Sequence, residues 1–242
     1  MYSHTPKKSR LKGRLGVIFL IFLVIPSFVF LFFRLEGEKP AITINLDSAY
    51  LGESQPLKVI VSDSKSGVKE VHVSIVSKDR EVNLIKETIP TGGLLLGGGR
   101  TEAEFDRLIE TKKLGLEEGD VVFKAVARDL SWRGWLHGNK TIIERKMTID
   151  FKPPRVTVLT KAHNINQGGS GLVIYELSEN CPISGVQVGE QFYPGKPGIV
   201  EKNTVLAAFF ALAHNQGTDS QIFITATDRA GNKTRAGFTK YL

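Results

Sequence analysis

A run of nineteen uncharged, mostly aliphatic and aromatic residues at 15–33 is the feature that most constrains this chain. Five basic residues precede the run within residues 7–14, and Arg34 ends it. A helix of this length extends roughly 28 Å, which matches the ~30 Å hydrocarbon core of a bilayer. The sequence therefore predicts a transmembrane helix at residues 15–33. The predicted membrane-anchor side chains include Leu15, Phe19, Leu23, Phe28 and Phe33.

A cleavable signal peptide is the alternative interpretation of this run. Such a peptide has an apolar core of about 7 to 15 residues and a cleavage site of small residues. The run here is longer, and bulky or charged residues follow it at 32–36, so an uncleaved anchor is favoured. Because basic flanks stay on the cytoplasmic side, residues 1–14 are predicted to form a cytoplasmic tail, with the remainder of the chain outside.

The charge distribution argues against nucleic acid as a partner. Six of the 32 basic residues and none of the 25 acidic residues lie in residues 1–34, which leaves 26 against 25 for the remainder. A nucleic-acid-binding domain needs a basic face, and this one is nearly neutral. The single cysteine, Cys181, cannot form an internal disulfide and is predicted to be a small, partly buried residue. These features favour a bacterial inner-membrane protein with one membrane span and a periplasmic ectodomain.

The residues after the anchor predict a mainly β protein, with two immunoglobulin-like antiparallel β-sandwiches at residues 38–152 and 153–242. Short segments rich in Val and Ile alternate with turn residues, and Pro153 and Pro154 form a stiff link between the halves. One continuous sandwich is the alternative. Residues 102–113 could form either a short helix or a strand followed by a helical turn, and their periodicity does not decide between the two. The predicted strands are 41–46, 57–62, 71–77, 121–127, 141–149, 155–159, 171–177, 183–188, 204–213, 221–227 and 233–241.

Turn chemistry separates these strands. Both halves contain an apolar strand that ends in Ala-x-Asp, at Asp129 and at Asp228. Asp can cap its own turn and Gly can adopt a positive φ, so both residue types suit turns. Calcium binding by the carboxylates is the less favoured alternative, because they lie in separate turns. Residues 185–195 predict a hairpin with a turn at Pro194-Gly195. The predicted turn residues are Asp63, Gly67, Asp129, Asp228 and Gly231.

Several spaced motifs carry a resemblance to a known family. They lie at 152–159, 165–175, 184–189 and 192–195, and in the first half at 63–67, 129–132 and 138–139. Together they resemble the non-catalytic amino-terminal region of membrane-anchored bacterial LytM-like peptidoglycan metallopeptidases, over residues 10–242. The resemblance implies a zinc enzyme whose catalytic domain, carrying His-x-x-x-Asp and His-x-His, follows immunoglobulin-like modules.

This chain lacks those zinc ligands. None of its five histidines has Asp four residues later, and no two histidines lie two residues apart. We therefore expect a non-enzymatic spacer or interaction module without a cofactor, whose partners are the bilayer and either peptidoglycan or envelope proteins. Zinc is expected only in a catalytic domain that this chain does not contain. One alternative is a truncated or split enzyme whose zinc domain is encoded elsewhere. Another is a glycan-binding module that uses Trp132, Arg133 and Trp135.

Overall fold

The computed structural model describes residues 10–46, 48–78, 80–90, 99–198, 200–217 and 220–241, with the side chains of these residues except those at 10–15, 33 and 240. Its elements are one long helix, a first pair of sheets formed by residues 41–149, and a second pair formed by residues 156–236. The chain is therefore mainly β, as predicted.

Helix α1 (Arg10–Arg34) covers the apolar run of the sequence and contains Pro26. Of the predicted anchor residues, Phe19, Leu23 and Phe28 expose 71%, 56% and 69% of their surface. Leu15 and Phe33 belong to the same helix, and their side chains lie outside the described set. Among the fully described residues, no helix reaches the length and mean hydropathy expected of a bilayer-spanning segment.

The first sandwich packs two sheets face to face. Its elements are β1 (Ala41–Asn45), β2 (Tyr50–Leu51), β3 (Ser54–Ser62), β4 (Val68–Ser77), β5 (Arg80–Thr88), β6 (Glu102–Glu110), β7 (Gly119–Asp129), α2 (Arg133–Leu136) and β8 (Lys140–Ile149). Strands β1, β3 and β6 form one sheet, and β2, β8, β7, β4 and β5 form the other in that order. Pairing is antiparallel except for the short parallel pair of β2 with β8.

The core of this sandwich is formed by apolar side chains at every second position of its strands. Leu57, Val59 and Val61 of β3 are at most 1% exposed, and they face Val73 and Phe123 of the opposite sheet within one apolar cluster. Every second residue of a strand points to the same face, so this spacing places one row of side chains between the sheets. The strand predicted at residues 57–62 is present as part of β3.

The second sandwich repeats this plan with shorter strands. The strands are β9 (Val156–Val158), β10 (His163–Asn164), β11 (Ser170–Leu177), β12 (Ile183–Val188), β13 (Gln191–Pro194), β14 (Lys196–Pro197), β15 (Val205–Ala211), β16 (Ile222–Thr227), β17 (Lys233–Ala236) and β18 (Lys240–Tyr241). One sheet has the order β14, β15, β11, β9, and the other has the order β13, β12, β16, β17. Strand β10 pairs with β18 in parallel.

The second core lies between these two four-stranded sheets. Tyr175 and Phe210 of one sheet are fully buried against Val186 and Ile224 of the other. The Tyr175 hydroxyl and the Ser184 hydroxyl are 2.6 Å apart, so the buried phenol is hydrogen-bonded. The two apolar clusters lie on either side of residues 152–155.

Most predicted strands are present, with three main differences. Residues 102–110 form a strand, which decides the question left open for that segment. Strand β5 was not predicted at all. The hairpin of β12 and β13 exists, but its turn lies at Gly189-Glu190 and not at Pro194-Gly195, because Gly189 supplies the positive φ of 54° and Pro194 still pairs with Gly185.

A turn of the second sandwich is hydrogen-bonded to side chains of the first sandwich. The carbonyl oxygen of Arg229 accepts a hydrogen bond from Ser48 Oγ at 2.9 Å, and that of Ala230 accepts one from Gln55 Nε2 at 3.3 Å. The Arg229 guanidinium also lies 5.9 Å from the centre of the Tyr50 ring. The turn at 228–232 thus joins the two sandwiches.

Candidate functional site

Three acidic side chains meet at the end of the first sandwich that faces α1. Glu36 lies between α1 and β1, Asp63 directly follows β3, and Asp129 ends β7. Each offers one oxygen, and these oxygens lie within 4.8 Å of one another. The residues are 8%, 5% and 0% exposed, respectively. We call these three residues the carboxylate cluster.

Asp63 caps its own turn. Its Oδ1 accepts hydrogen bonds from the backbone N–H groups of Ser66 and Gly67, both at 2.8 Å, and from that of Lys65 at 3.2 Å. Gly67 adopts a φ of 87°, which an L side chain rarely tolerates, and therefore closes the turn. All of these bonds end on Oδ1 and not on Oδ2.

Asp129 is held in a similar way by Asn139. Asp129 Oδ1 accepts from the backbone N–H of Ser131 at 3.0 Å and of Asn139 at 2.6 Å, and Oδ2 accepts from Asn139 Nδ2 at 2.7 Å. Asn139 Nδ2 also donates to the carbonyl oxygens of Glu36 at 3.2 Å and Glu38 at 2.8 Å. The amide thereby fixes the segment that leaves α1 against the end of β7.

Glu36 is the exceptional member of the carboxylate cluster. Both of its carboxylate oxygens are buried without a hydrogen-bond partner among the described residues. Burial raises the pKa of Glu36, and the negative charges of Asp63 and Asp129 raise it further. The Ser66 hydroxyl and the Lys65 ammonium lower this pKa in part, although the hydroxyl donates to Asp63 at 3.3 Å and the ammonium lies 4.0 Å from Glu36.

A second acidic cluster occupies the equivalent place in the second sandwich. Asp150, Glu179 and Asp228 also bring one oxygen each within 4.8 Å of the others. Asn232 donates from its backbone N–H to Asp228 Oδ1 at 2.8 Å, and from Nδ2 to Asp228 Oδ2 and to the Asp150 carbonyl oxygen, both at 2.9 Å. Burial raises the pKa of Glu179, and the negative charges of Asp228 and Asp150 add to this.

The two clusters share one arrangement. An Asp at the end of a strand is bound by an Asn, whose Nδ2 also holds the carbonyl of the segment leading into the same sandwich. Sequence reasoning found Asp63, Asp129 and Asp228, but it missed the other acidic members and the two Asn residues. The repeated Ala-x-Asp signature followed by Gly-Asn was the signal that could have revealed them. The missed residues are Glu36, Asn139, Asp150, Glu179 and Asn232.

The three residues predicted to bind glycan, Trp132, Arg133 and Trp135, have different environments in the structure. Trp132 donates its backbone N–H to the Arg34 carbonyl oxygen at 2.7 Å, and its ring meets Phe30 of α1 edge-on at 5.4 Å between centroids. Arg133 lies over Gly37. Trp135, with a φ of 58°, is 93% exposed. Two of the three predicted residues therefore serve the joint between α1 and the first sandwich, and only Trp135 is fully free to meet a partner.

The cysteine and histidine side chains do not form a catalytic arrangement in the described part of the chain. Cys181 is 9% exposed, and burial raises the pKa of its thiol to about 11. His72 Nε2 lies 2.6 Å from Asn83 Oδ1, and His163 Nδ1 lies 3.2 Å from the Thr239 carbonyl oxygen. Over the described residues, the groups of three potential metal ligands are the two acidic clusters, neither of which contains histidine or cysteine.

No protein-family model and no curated protein matches the chain. Among solved structures it is similar to an ectodomain fragment of ICAM-5 comprising domains D1–D4, at 12% identity and a TM-score of 0.32, over 83% of this chain and 53% of that one. It is also similar to murine CEACAM1b, at 10% identity and a TM-score of 0.32, over 83% of this chain and 100% of that one. The chain spans about half the length of the ICAM-5 fragment.

Proposed function

We propose that this chain is a single-pass protein of the bacterial inner membrane that holds two immunoglobulin-like β-sandwiches in the periplasm. In this proposal it acts as a non-catalytic spacer or interaction module related to the amino-terminal regions of LytM-like cell-wall peptidases. Tethering confines the sandwiches to a layer near the membrane and raises their effective concentration for peptidoglycan or envelope proteins.

The observation that carries this proposal is the joint between α1 and the first sandwich. Phe30 and Arg34, at the end of α1, contact Trp132 through a ring contact and a backbone hydrogen bond. A basic flank precedes the apolar run, and the sandwiches follow it. If α1 crosses the bilayer, the first sandwich sits directly at the membrane surface.

Exposed apolar groups beside this joint support the same arrangement. Trp135 is 93% exposed and Leu136 is 48% exposed, in the loop that also carries Trp132. Tryptophan is enriched at the boundary between the hydrocarbon core and water, where its amphipathic ring suits both sides. We therefore assign Trp135 to the lipid headgroup region, in preference to a glycan strand.

Alkaline carbonate extraction of membranes tests the anchor. The chain should remain in the pellet, whereas the double variant Leu20→Arg, Leu23→Arg should shift to the supernatant. Each Arg near the centre of a spanning helix costs about 2.5 to 3.5 kcal/mol of insertion free energy. Phe209→Arg is the matched control, because Phe209 is 66% exposed on the second sandwich and outside α1. Release of the unchanged chain by carbonate contradicts the proposal.

Fluorescence quenching by brominated lipids separates the membrane and glycan roles of Trp135. Trp132→Phe leaves Trp135 as the single tryptophan of the chain. We expect quenching in reconstituted vesicles and no effect of added peptidoglycan fragments. Quenching by neither probe refutes the interfacial assignment, and a response to the glycan alone restores the glycan-binding alternative.

The split-enzyme alternative predicts a zinc domain supplied by another polypeptide. A hydrolysis assay on cross-linked peptidoglycan, with added zinc, should show no turnover by this chain alone. Turnover above a chelated control contradicts the non-catalytic proposal. Turnover only when the product of an adjacent reading frame is added supports the alternative.

A further inference from the structure

We propose that Glu36, Asp63 and Asp129 form a Ca²⁺ site that fixes the first sandwich to the segment leaving α1. This proposal goes beyond the spacer function and does not depend on it. It concerns the three side chains of the carboxylate cluster, whose oxygens lie within 4.8 Å of one another.

Turn capping accounts for two of these side chains but not for the third. Asp63 and Asp129 accept hydrogen bonds from the backbone of their own turns. Glu36 is more than nine-tenths buried, and neither of its carboxylate oxygens has a hydrogen-bond partner in the described structure. A buried carboxylate needs a compensating partner, and here two further carboxylates bring an oxygen within 4.8 Å of it. A bound cation would give the buried Glu36 carboxylate a partner and would offset the repulsion among the three carboxylates.

Lys65 supplies only part of the missing positive charge. Its ammonium lies 4.0 Å from Glu36 Oε2, beyond hydrogen-bonding distance, and 2.6 Å from Glu38 Oε2. The Lys65 side chain is 54% exposed and the Glu38 side chain 58% exposed. Lys65 therefore pairs mainly with Glu38 at the surface, and its single charge only partly offsets the three carboxylates of the cluster.

The chemistry of the cluster selects calcium. All three donors are carboxylates, which suit hard cations, and the cluster offers no histidine or cysteine, which zinc prefers. Ca²⁺ accepts an irregular set of about six to eight oxygen ligands, including backbone carbonyls and water, whereas Mg²⁺ demands near-octahedral geometry. Asp63 also lines a surface depression of about 310 Å³, which gives an ion a route from solvent.

The second acidic cluster serves as an internal comparison. Asp150 and Glu179 are only half-buried, and no carboxylate oxygen of Asp150, Glu179 or Asp228 is among the buried unpartnered atoms of the described structure. The same arrangement of residues therefore lacks the feature that points to an ion in the first sandwich. The proposal is confined to the carboxylate cluster.

Calcium titration of the full chain in zwitterionic detergent micelles, after chelator treatment, tests the site. Both tryptophans lie in the loop after β7, so tryptophan fluorescence reports unfolding of the first sandwich. We expect about 2 mM Ca²⁺ to raise the midpoint of this thermal transition by about 5 °C or more, because a ligand that binds only the native state stabilises it. The same concentration of Mg²⁺ should have a clearly smaller effect.

Glu36→Gln isolates the decisive side chain. This variant keeps the size of Glu36 and removes its charge, so it should fold without calcium at least as stably as the unchanged chain. Its apparent Ca²⁺ affinity should fall by about tenfold or more. Glu117→Gln is the matched control and should respond to calcium normally. Glu117 precedes the start of β7, whereas Asp129 lies at the other end of that strand, and the Glu117 side chain is 79% exposed.

Three results overturn the proposal. The first is an unchanged transition of the parent chain at millimolar Ca²⁺. The second is an equal response of Glu36→Gln and the parent. The third is an equal response to Ca²⁺ and Mg²⁺. A failure of the membrane anchor in carbonate extraction would leave all of these measurements in place, so the two proposals fail independently.

Discussion

The side-chain amide of Asn139 is the central hydrogen-bond donor at the joint between α1 and the first sandwich. Its two Nδ2 hydrogens are shared among a carboxylate oxygen of Asp129 and the carbonyl oxygens of Glu36 and Glu38. We predict that Asn139→Ala destabilises the first sandwich and leaves the second unchanged.

The expected magnitude follows from the lost bonds. A hydrogen bond to a charged group contributes about 1.5 to 3 kcal/mol and a neutral one about 1 kcal/mol. Water can reach the partly exposed Glu38 carbonyl and recover some of this loss. The net cost is therefore about 3 kcal/mol, which lowers the melting temperature of a sandwich of this size by about 15 °C.

Two optical signals separate the sandwiches. Tryptophan fluorescence follows the first sandwich alone, because both tryptophans lie at 132 and 135, whereas far-ultraviolet circular dichroism follows both. Asn232→Ala is the matched variant, since Asn232 makes the equivalent bonds to Asp228 and Asp150. It should shift the circular dichroism transition and leave the fluorescence transition in place.

A loss below about 0.5 kcal/mol in Asn139→Ala would refute the reasoning, because it would mean that water replaces the amide at all three acceptors. A shift of the fluorescence transition in Asn232→Ala would refute the assignment of each Asn to its own sandwich. So would a shift, in Asn139→Ala, of the part of the circular dichroism transition that belongs to the second sandwich. The contacts of Arg229 and Ala230 with the first sandwich would then have to couple the two unfolding transitions.

Three further changes have definite outcomes. Phe210→Ala opens a cavity at a fully buried position and should cost about 3 to 5 kcal/mol, seen by circular dichroism and not by tryptophan fluorescence. Burial raises the pKa of the Cys181 thiol from 9.0 to about 11, so at pH 8 the thiolate fraction of the native chain should be roughly 100-fold lower than that of the chain unfolded in urea. Alkylation of Cys181 should be slower in the native chain by the same factor, and equal alkylation rates contradict this. Gly185→Ala should destabilise the β12–β13 hairpin by about 2 kcal/mol in chemical denaturation, since its Cβ would overlap the Tyr193 carbonyl oxygen, whereas Gly237→Ala should be neutral.

Local pattern predicted the strands of the cores and missed a strand at an edge. Residues 57–62 and 121–127 alternate apolar and other side chains because one face of each strand is buried, so their sequences record their structure. Strand β5 pairs on one side only, and its residues are mostly charged or polar and exposed. Edge strands commonly carry charged side chains, which removes the alternation of apolar and polar residues from which a strand is predicted.

The carboxylate cluster depends on chain topology and not on local sequence. Its members are 36, 63 and 129, and they meet because β1 pairs antiparallel with β3 and therefore begins where β3 ends. The turn role of Asp63 is visible in five consecutive residues. The position of Glu36 beside Asp63 and Asp129 is not visible in the sequence, because it depends on the path that the chain takes between α1 and β1. Trp132 was likewise assigned to a surface role, because nothing in its sequence neighbourhood announces the contact with Phe30.

The repeated amide clamp has a mechanical consequence. A chain tethered at one end and bound at the other carries tension, and that tension first loads the residues that lead into each sandwich. In both sandwiches an Asn amide ties those residues to a turn that comes late in the chain of the same module. Pulling force is thereby shared between the first and the late strands, so each module should resist unravelling from its leading end.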